Sequence, residues 1–144
     1  NALDPGPPAI AVVIAEDPPK PEGGTIPNGL FRLTRHEVFI GRNGNSDQRV
    51  SRMGGRTLLI SASTGASADL QLSRLENLGE LPDLVNESQT LVVSGTSYDY
   101  TVTCSSERDF APAGTRHFTA TADELIWISL VSDGTTYVET FERE

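Results

Sequence analysis

The 144-residue sequence predicts an all-β protein, a β-sandwich or jelly roll with a barrel as the second choice, preceded by an extended proline-rich arm. Three observations carry this. Seven of the nine prolines fall in residues 1–27; short apolar runs separated by turn residues fill residues 28–144; and helical spacing is nearly absent. A chain of this length supports one core rather than two, so the division is an arm, 1–27, and one domain, 28–144.

In the arm, Pro5, Pro7, Pro8, Pro18, Pro19, Pro21 and Pro27 fix φ, delete backbone donors and disfavour helix in the residues before them. Between them lies Ala9-Ile10-Ala11-Val12-Val13-Ile14-Ala15, an apolar, β-branched segment with no neighbour in sequence to pair with. Left bare, it would invite aggregation. It has two destinations: the domain's own sheet, or a neighbouring subunit, in which case Ile10, Val12, Val13 and Ile14 are partner-binding residues. The segment is far short of the roughly 20 residues that span a bilayer, and Asp4 and prolines replace the basic lead of a signal peptide.

From Asn28 onward, runs at residues 30–34 and 37–40 read as strands, the second closed by Asn43-Gly44. Further runs follow at 57–61, 69–72, 89–94, 98–104, 116–121, 124–131 and 135–141. Tyr98, Tyr100, Val102 and Cys104 share one face of their run. Residues 125–130 are apolar on both faces, as suits a central strand, and Ser132-Asp133-Gly134 predicts a tight turn that makes the last two strands a hairpin. Only residues 70–84 hint at helical spacing, and Gly79 and Pro82 limit it to one short helix or a loop. Strands this short and this closely spaced favour a sandwich or jelly roll over a barrel.

Chemistry is sparse. A net charge of -9 repels a phosphate backbone, so no nucleic-acid partner is expected, and no membrane partner either. The single cysteine, Cys104, excludes an intrachain disulfide and reads as buried in its strand, which makes self-association a natural source of stability. His36 and His117 read as strand-face or surface residues, and no zinc-ligand spacing is present. Glu76, Glu80, Asp83 and Glu87 read as solvated charges of a loop-like region, and Gly23-Gly24 and Gly54-Gly55 as flexible connectors. Asn86-Glu87-Ser88 matches the short N-glycosylation pattern. No catalytic, cofactor-binding or metal-binding residue is assigned, and the protein is not expected to be an enzyme.

Val38-Phe39-Ile40-Gly41-Arg42, followed by Asn45-Ser46-Asp47 and Val50-Ser51-Arg52, resembles the start of the forkhead-associated family. The resemblance implies a β-sandwich whose Arg42 and Ser51 contact a phosphothreonine peptide. The sequence departs from the family in the short Arg42-to-Ser51 spacing, in lacking the histidine after Ser51, and in lacking the later Asn-Gly-Thr signature.

A broader resemblance covers the C-terminal half. Leu70-Gln71-Leu72, the loop at 79–84, residues 89–103 and the closing stretch at 125–138, with its Asp133-Gly134-Thr135 turn and Tyr137, look like the terminal modules of phage fibre, head-fibre and decoration proteins. The resemblance implies a virion structural protein: a capsid decoration, or cement, protein on the capsid surface, a homotrimer bound to major capsid protein or other shell subunits. The alternatives are the phosphopeptide-binding module and a receptor- or glycan-binding fibre tip. Against the last, Tyr98, Tyr100, Trp127 and Tyr137 sit inside strands, where core packing accounts for them.

Overall fold

A computed structural model describes residues 3–42, 44, 52–76, 83–107, 111–130 and 134–144, with the backbone alone at 52 and 53. The described residues are all β, as the sequence predicts. Ten strands form one sheet: β1 (Ala9–Ile14), β2 (Gly29–Phe39), β3 (Arg52–Met53), β4 (Arg56–Ser61), β5 (Ser67–Glu76), β6 (Asp83–Ser94), β7 (Ser97–Ser105), β8 (Ala113–Ala120), β9 (Glu124–Leu130) and β10 (Thr136–Arg143). From β4 to β10 each strand pairs antiparallel with the next, and β10 also pairs with β2, which pairs with β4. The ring is therefore closed. Of the two predicted architectures the structure takes the barrel, and closure removes the open edges that a sandwich would leave.

Closure depends on one long strand. The runs at 30–34 and 37–40 are a single strand, β2, and its register against β10 shifts between Thr140 and Phe141, where Leu33 follows Arg35 as partner. That bulge at Thr34 exchanges the two faces: Phe31 and Leu33 point inward below it, His36 and Val38 above it. The broken alternation is what makes one strand read as two.

The arm is part of the wall. The lower half of β2 (29–32) pairs with β4, whereas on the same edge its upper half (36–39) pairs in parallel with 11–14 of β1, which in turn meets β3. The apolar segment thus finds its partner in its own sheet. Further on, Gly23 forms a bridge with Thr119 beside β8, and Ile26, 1 % exposed, packs into the main core. Gly23 and Gly24 are not loose connectors. Their φ values of 72° and 117° lie in the region that favours glycine, and a Cβ would collide with the carbonyl oxygens of Gly95 and Ala120.

The stretch at 70–84, expected to hold at most one short helix or a loop, is strand in its described part, where β5 runs on to Glu76 and β6 starts at Asp83. Residues 77–82 lie outside the described residues, as do Ser132 and Asp133 of the predicted turn. The flanking β9 and β10 nevertheless pair antiparallel, which bears out the hairpin.

Candidate functional site: a polar chamber inside the barrel

Alternation sends every second side chain of each wall strand inward, and the interior divides into two halves. The lower half is an apolar core in which Phe31, Leu58, Phe118, Leu125 and Phe141 are fully buried and Trp127 packs on Phe141 at 4.6 Å between ring centroids. The upper half is polar. Each of the eight strands of the closed ring contributes to it: His36 from β2, Arg56 from β4, Arg74 from β5, Glu87 and Gln89 from β6, Tyr100 from β7, Arg116 from β8, Trp127 from β9 and Glu139 from β10.

The cations inside are held in different ways. Arg56 Nη1 donates to Glu139 Oε1 at 2.5 Å, and His36 Nδ1 stands 3.8 Å from the same oxygen. Burial, more than any neighbouring charge, lowers the His36 pKa below 6.5, so the ring is neutral at neutral pH. Its face stacks on Tyr137 at 5.6 Å. Arg74 is ringed by carboxylates: Glu76 at 2.6 Å, Glu107 at 2.9 Å and Glu87 at 3.1 Å, with Gln89 Nε2 donating to Glu87 at 2.9 Å.

Arg116 differs from both. Its guanidinium carbon lies 4.0 Å from the Trp127 ring centroid and 5.2 Å from that of Tyr100, a cation–π arrangement. Its one hydrogen bond among the described residues runs from Nη1 to Tyr98 Oη at 3.4 Å, at the long end of the range. Tyr98 is no counter-ion, because burial pushes its pKa up to about 12 and it stays a neutral phenol. Beside Arg116 is a cavity of about 120 Å³ lined by Arg74, Glu87, Gln89, Tyr100, Glu107, Ala111 and Arg116. Several buried atoms in this half lack a hydrogen-bond partner among the described residues: Gln89 Oε1, Trp127 Nε1, His36 Nδ1 and Arg56 Nε.

The residues singled out from the sequence fall elsewhere. Ile10 (69 % exposed) and Val12 (53 % exposed) stand side by side on the outer face of β1, whereas Val13 is half-buried and Ile14 packs against the outer cluster of Phe39, Ile128 and Val138. A groove of about 390 Å³ runs beside the first two, lined also by Pro8, Thr34, Arg35 and Glu37. Arg42 is exposed and 3.6 Å from Asp17, and Ser51 lies outside the described residues. Tyr98 and Trp127 are buried, as expected of strand aromatics.

Two expectations are corrected. Cys104 is exposed rather than buried, because Thr103 is an extra residue in β7 opposite Ser88 and Gln89, and the bulge turns the next side chain outward. Glu87 is not a solvated loop charge but a buried carboxylate on β6.

Arg56, Arg74, Arg116, Gln89 and Glu139 carry the chamber without standing out in the sequence. A signal was present: Arg74 continues the inward phase of Leu70 and Leu72, Gln89 that of Leu91, and Arg116 that of Phe118. A charge in the apolar phase of a strand marks a polar interior. Among the described residues no group of three or more His, Cys, Asp or Glu side chains could hold a metal ion.

No protein-family model matches the chain, and no curated protein matches it. Among solved structures it is similar to a de novo designed, fluorescence-activating β-barrel, with 18 % identity over 81 % of this chain and 93 % of that one and a TM-score of 0.49.

Proposed function

We propose that the chain is a non-catalytic binding barrel that takes a small polar ligand into its upper chamber. The observation that supports this reading is the state of Arg116: among the described residues this inward-facing cation is hydrogen-bonded only to a neutral phenol, next to a cavity and to buried polar atoms without partners among those residues. Leaving a buried amide oxygen such as Gln89 Oε1 without a partner costs about 1–3 kcal/mol, and a bound ligand that donates to it would remove that cost. The wall holds these groups in place before any ligand arrives, which favours binding.

Thermal unfolding of the whole chain across small anions, cations, zwitterions and polyols tests the reading. A ligand at a hundred times its Kd adds about 2.7 kcal/mol, roughly 8 °C in Tm for a domain of this size. Arg116→Met should abolish the shift. If no compound raises Tm, or if the shift survives in Arg116→Met, the chamber is not a binding site.

A second reading is favoured by a different observation, the exposure of Ile10 and Val12 on the arm strand. In it the outer face of β1 docks on another subunit, and the chain is a bacteriophage capsid decoration protein: a homotrimer on the virion surface that binds and reinforces major capsid protein. Paired large apolar side chains on an outer wall suit an interface. Native mass of the purified chain tests it, with an oligomer expected for the natural sequence and a monomer for Ile10→Glu/Val12→Glu; a monomeric natural chain that also fails to bind shells removes this reading.

A further inference from the structure

Resting on the binding reading above, we infer that the chamber's ligand is a small α-amino acid, its carboxylate on Arg116 and its ammonium beside Glu87 and Gln89 Oε1.

The sign of charge at each end of the cavity leads to this. Three guanidinium groups occupy the upper half, and two are taken, Arg56 by Glu139 and Arg74 by Glu76, Glu87 and Glu107. Arg116 alone has no carboxylate in direct contact among the described residues; the carboxylate whose charge acts on it, Glu139, is already engaged by Arg56. Trp127 and Tyr100 lie over its guanidinium and Nη1 makes one long hydrogen bond to Tyr98, so the other N–H groups of the planar fork are what remains for a ligand carboxylate.

The opposite side of the cavity has the opposite need. Around Arg74 three carboxylates face one guanidinium, and two of them, Glu87 and Glu107, line the cavity. Gln89 lines it too, and its amide orientation is fixed: Glu87 accepts only, so Nε2 must face it, which leaves Oε1 as an acceptor without a donor. Among the described residues, a site with a guanidinium lacking a contacting carboxylate at one end, and an excess of carboxylates around Arg74 together with the unpaired Gln89 Oε1 at the other, matches a zwitterion. A simple anion would satisfy Arg116 and be repelled by Glu87 and Glu107; a simple cation would do the reverse.

Size narrows the class. At about 120 Å³ the cavity is well below the roughly 300 Å³ or more of pockets that take drug-sized ligands, which favours a ligand as small as glycine or alanine. A long or aromatic side chain would have to leave through the mouth.

Trp127 is the single tryptophan of the chain and lies against Arg116, so its fluorescence reports on the site directly. The whole chain is titrated with glycine, L-alanine, acetate, methylammonium, glycolate and inorganic phosphate, following Trp127 emission and Tm. Glycine and L-alanine should bind at least ten-fold more tightly than acetate, methylammonium, glycolate or phosphate. Arg116→Lys, which keeps the charge and loses the fork, should weaken glycine at least ten-fold; if that variant does not fold, the ranking of ligands by the natural chain decides alone. Acetate, phosphate or glycolate equal to glycine overturns the zwitterion assignment, as does a polyol or methylammonium that binds where glycine does not, and in each case the binding reading stands. If none of the six nor any polyol binds, both fall.

Discussion

Within the polar half, His36 is the group whose burial is most directly measurable. It is 2 % exposed, near Glu139 and Arg56 inside the barrel and next to Glu37 in sequence, and desolvation outweighs the attraction of the two carboxylates. A histidine whose folded pKa lies below its unfolded 6.5 binds fewer protons folded than unfolded, so its contribution to stability is present above pH 6.5 and lost as pH falls from there toward the folded value. Urea unfolding between pH 7.5 and 5.5 should show stability falling with pH by up to about 1.4 kcal/mol per unit, and His36→Gln should flatten that slope. An unchanged slope in the variant would place the titration elsewhere. The Arg56–Glu139 pair beside it makes a larger prediction: Glu139→Ala strands a largely buried guanidinium and should cost about 3 kcal/mol in urea unfolding, whereas changing both partners to apolar residues of similar size should recover much of the loss.

At the scale of elements, the strands were legible where alternation is regular and illegible where a bulge interrupts it. β4, β7, β9 and β10 were read within a residue or two because their inward positions repeat without a break or break only near an end. β2 read as two strands, and Cys104 as buried, for the same reason: one inserted residue exchanges the faces, and nothing local distinguishes that from a turn. The chamber was hidden differently. Its members come from eight strands and meet only on closure, so each charge taken alone reads as solvent-facing. Gly23 and Gly24 show how tertiary contact overrides a local reading, since flexible connectors would tolerate a methyl group and these cannot. Gly23→Ala or Gly24→Ala should lower stability by about 2 kcal/mol, through positive φ combined with collision against a backbone carbonyl, while Gly65→Ala, also at positive φ but with open space around it, should cost less. Equal losses at all three would mean that the close approach beside β6–β7 and β8 contributes nothing.

For the whole molecule, the decisive feature is that the proline-rich segment both completes the wall and presents an outer face. These two roles are separable because β1 alternates: Ala9 and Ala11 turn inward and are buried, while Ile10 and Val12 turn outward and are exposed. Removing residues 1–14 would strip the partner from the upper edge of β2, expose its backbone groups and uncover the Arg56–Glu139 pair near His36, which pairs with Ala11. Such a chain should lose at least about 3 kcal/mol of stability, from several ladder hydrogen bonds at about 1 kcal/mol each, and should aggregate through the bared edge. Ile10→Ser/Val12→Ser leaves the ladder and the inward side intact and should stay within about 0.5 kcal/mol of the natural chain in urea unfolding. Paired with native mass, the comparison assigns the arm. Stability lost on truncation and kept in the double variant makes β1 a wall strand; loss of the oligomer in the double variant at unchanged stability makes its outer face an interface as well. A truncated chain as stable as the intact one would show that the barrel closes without the arm.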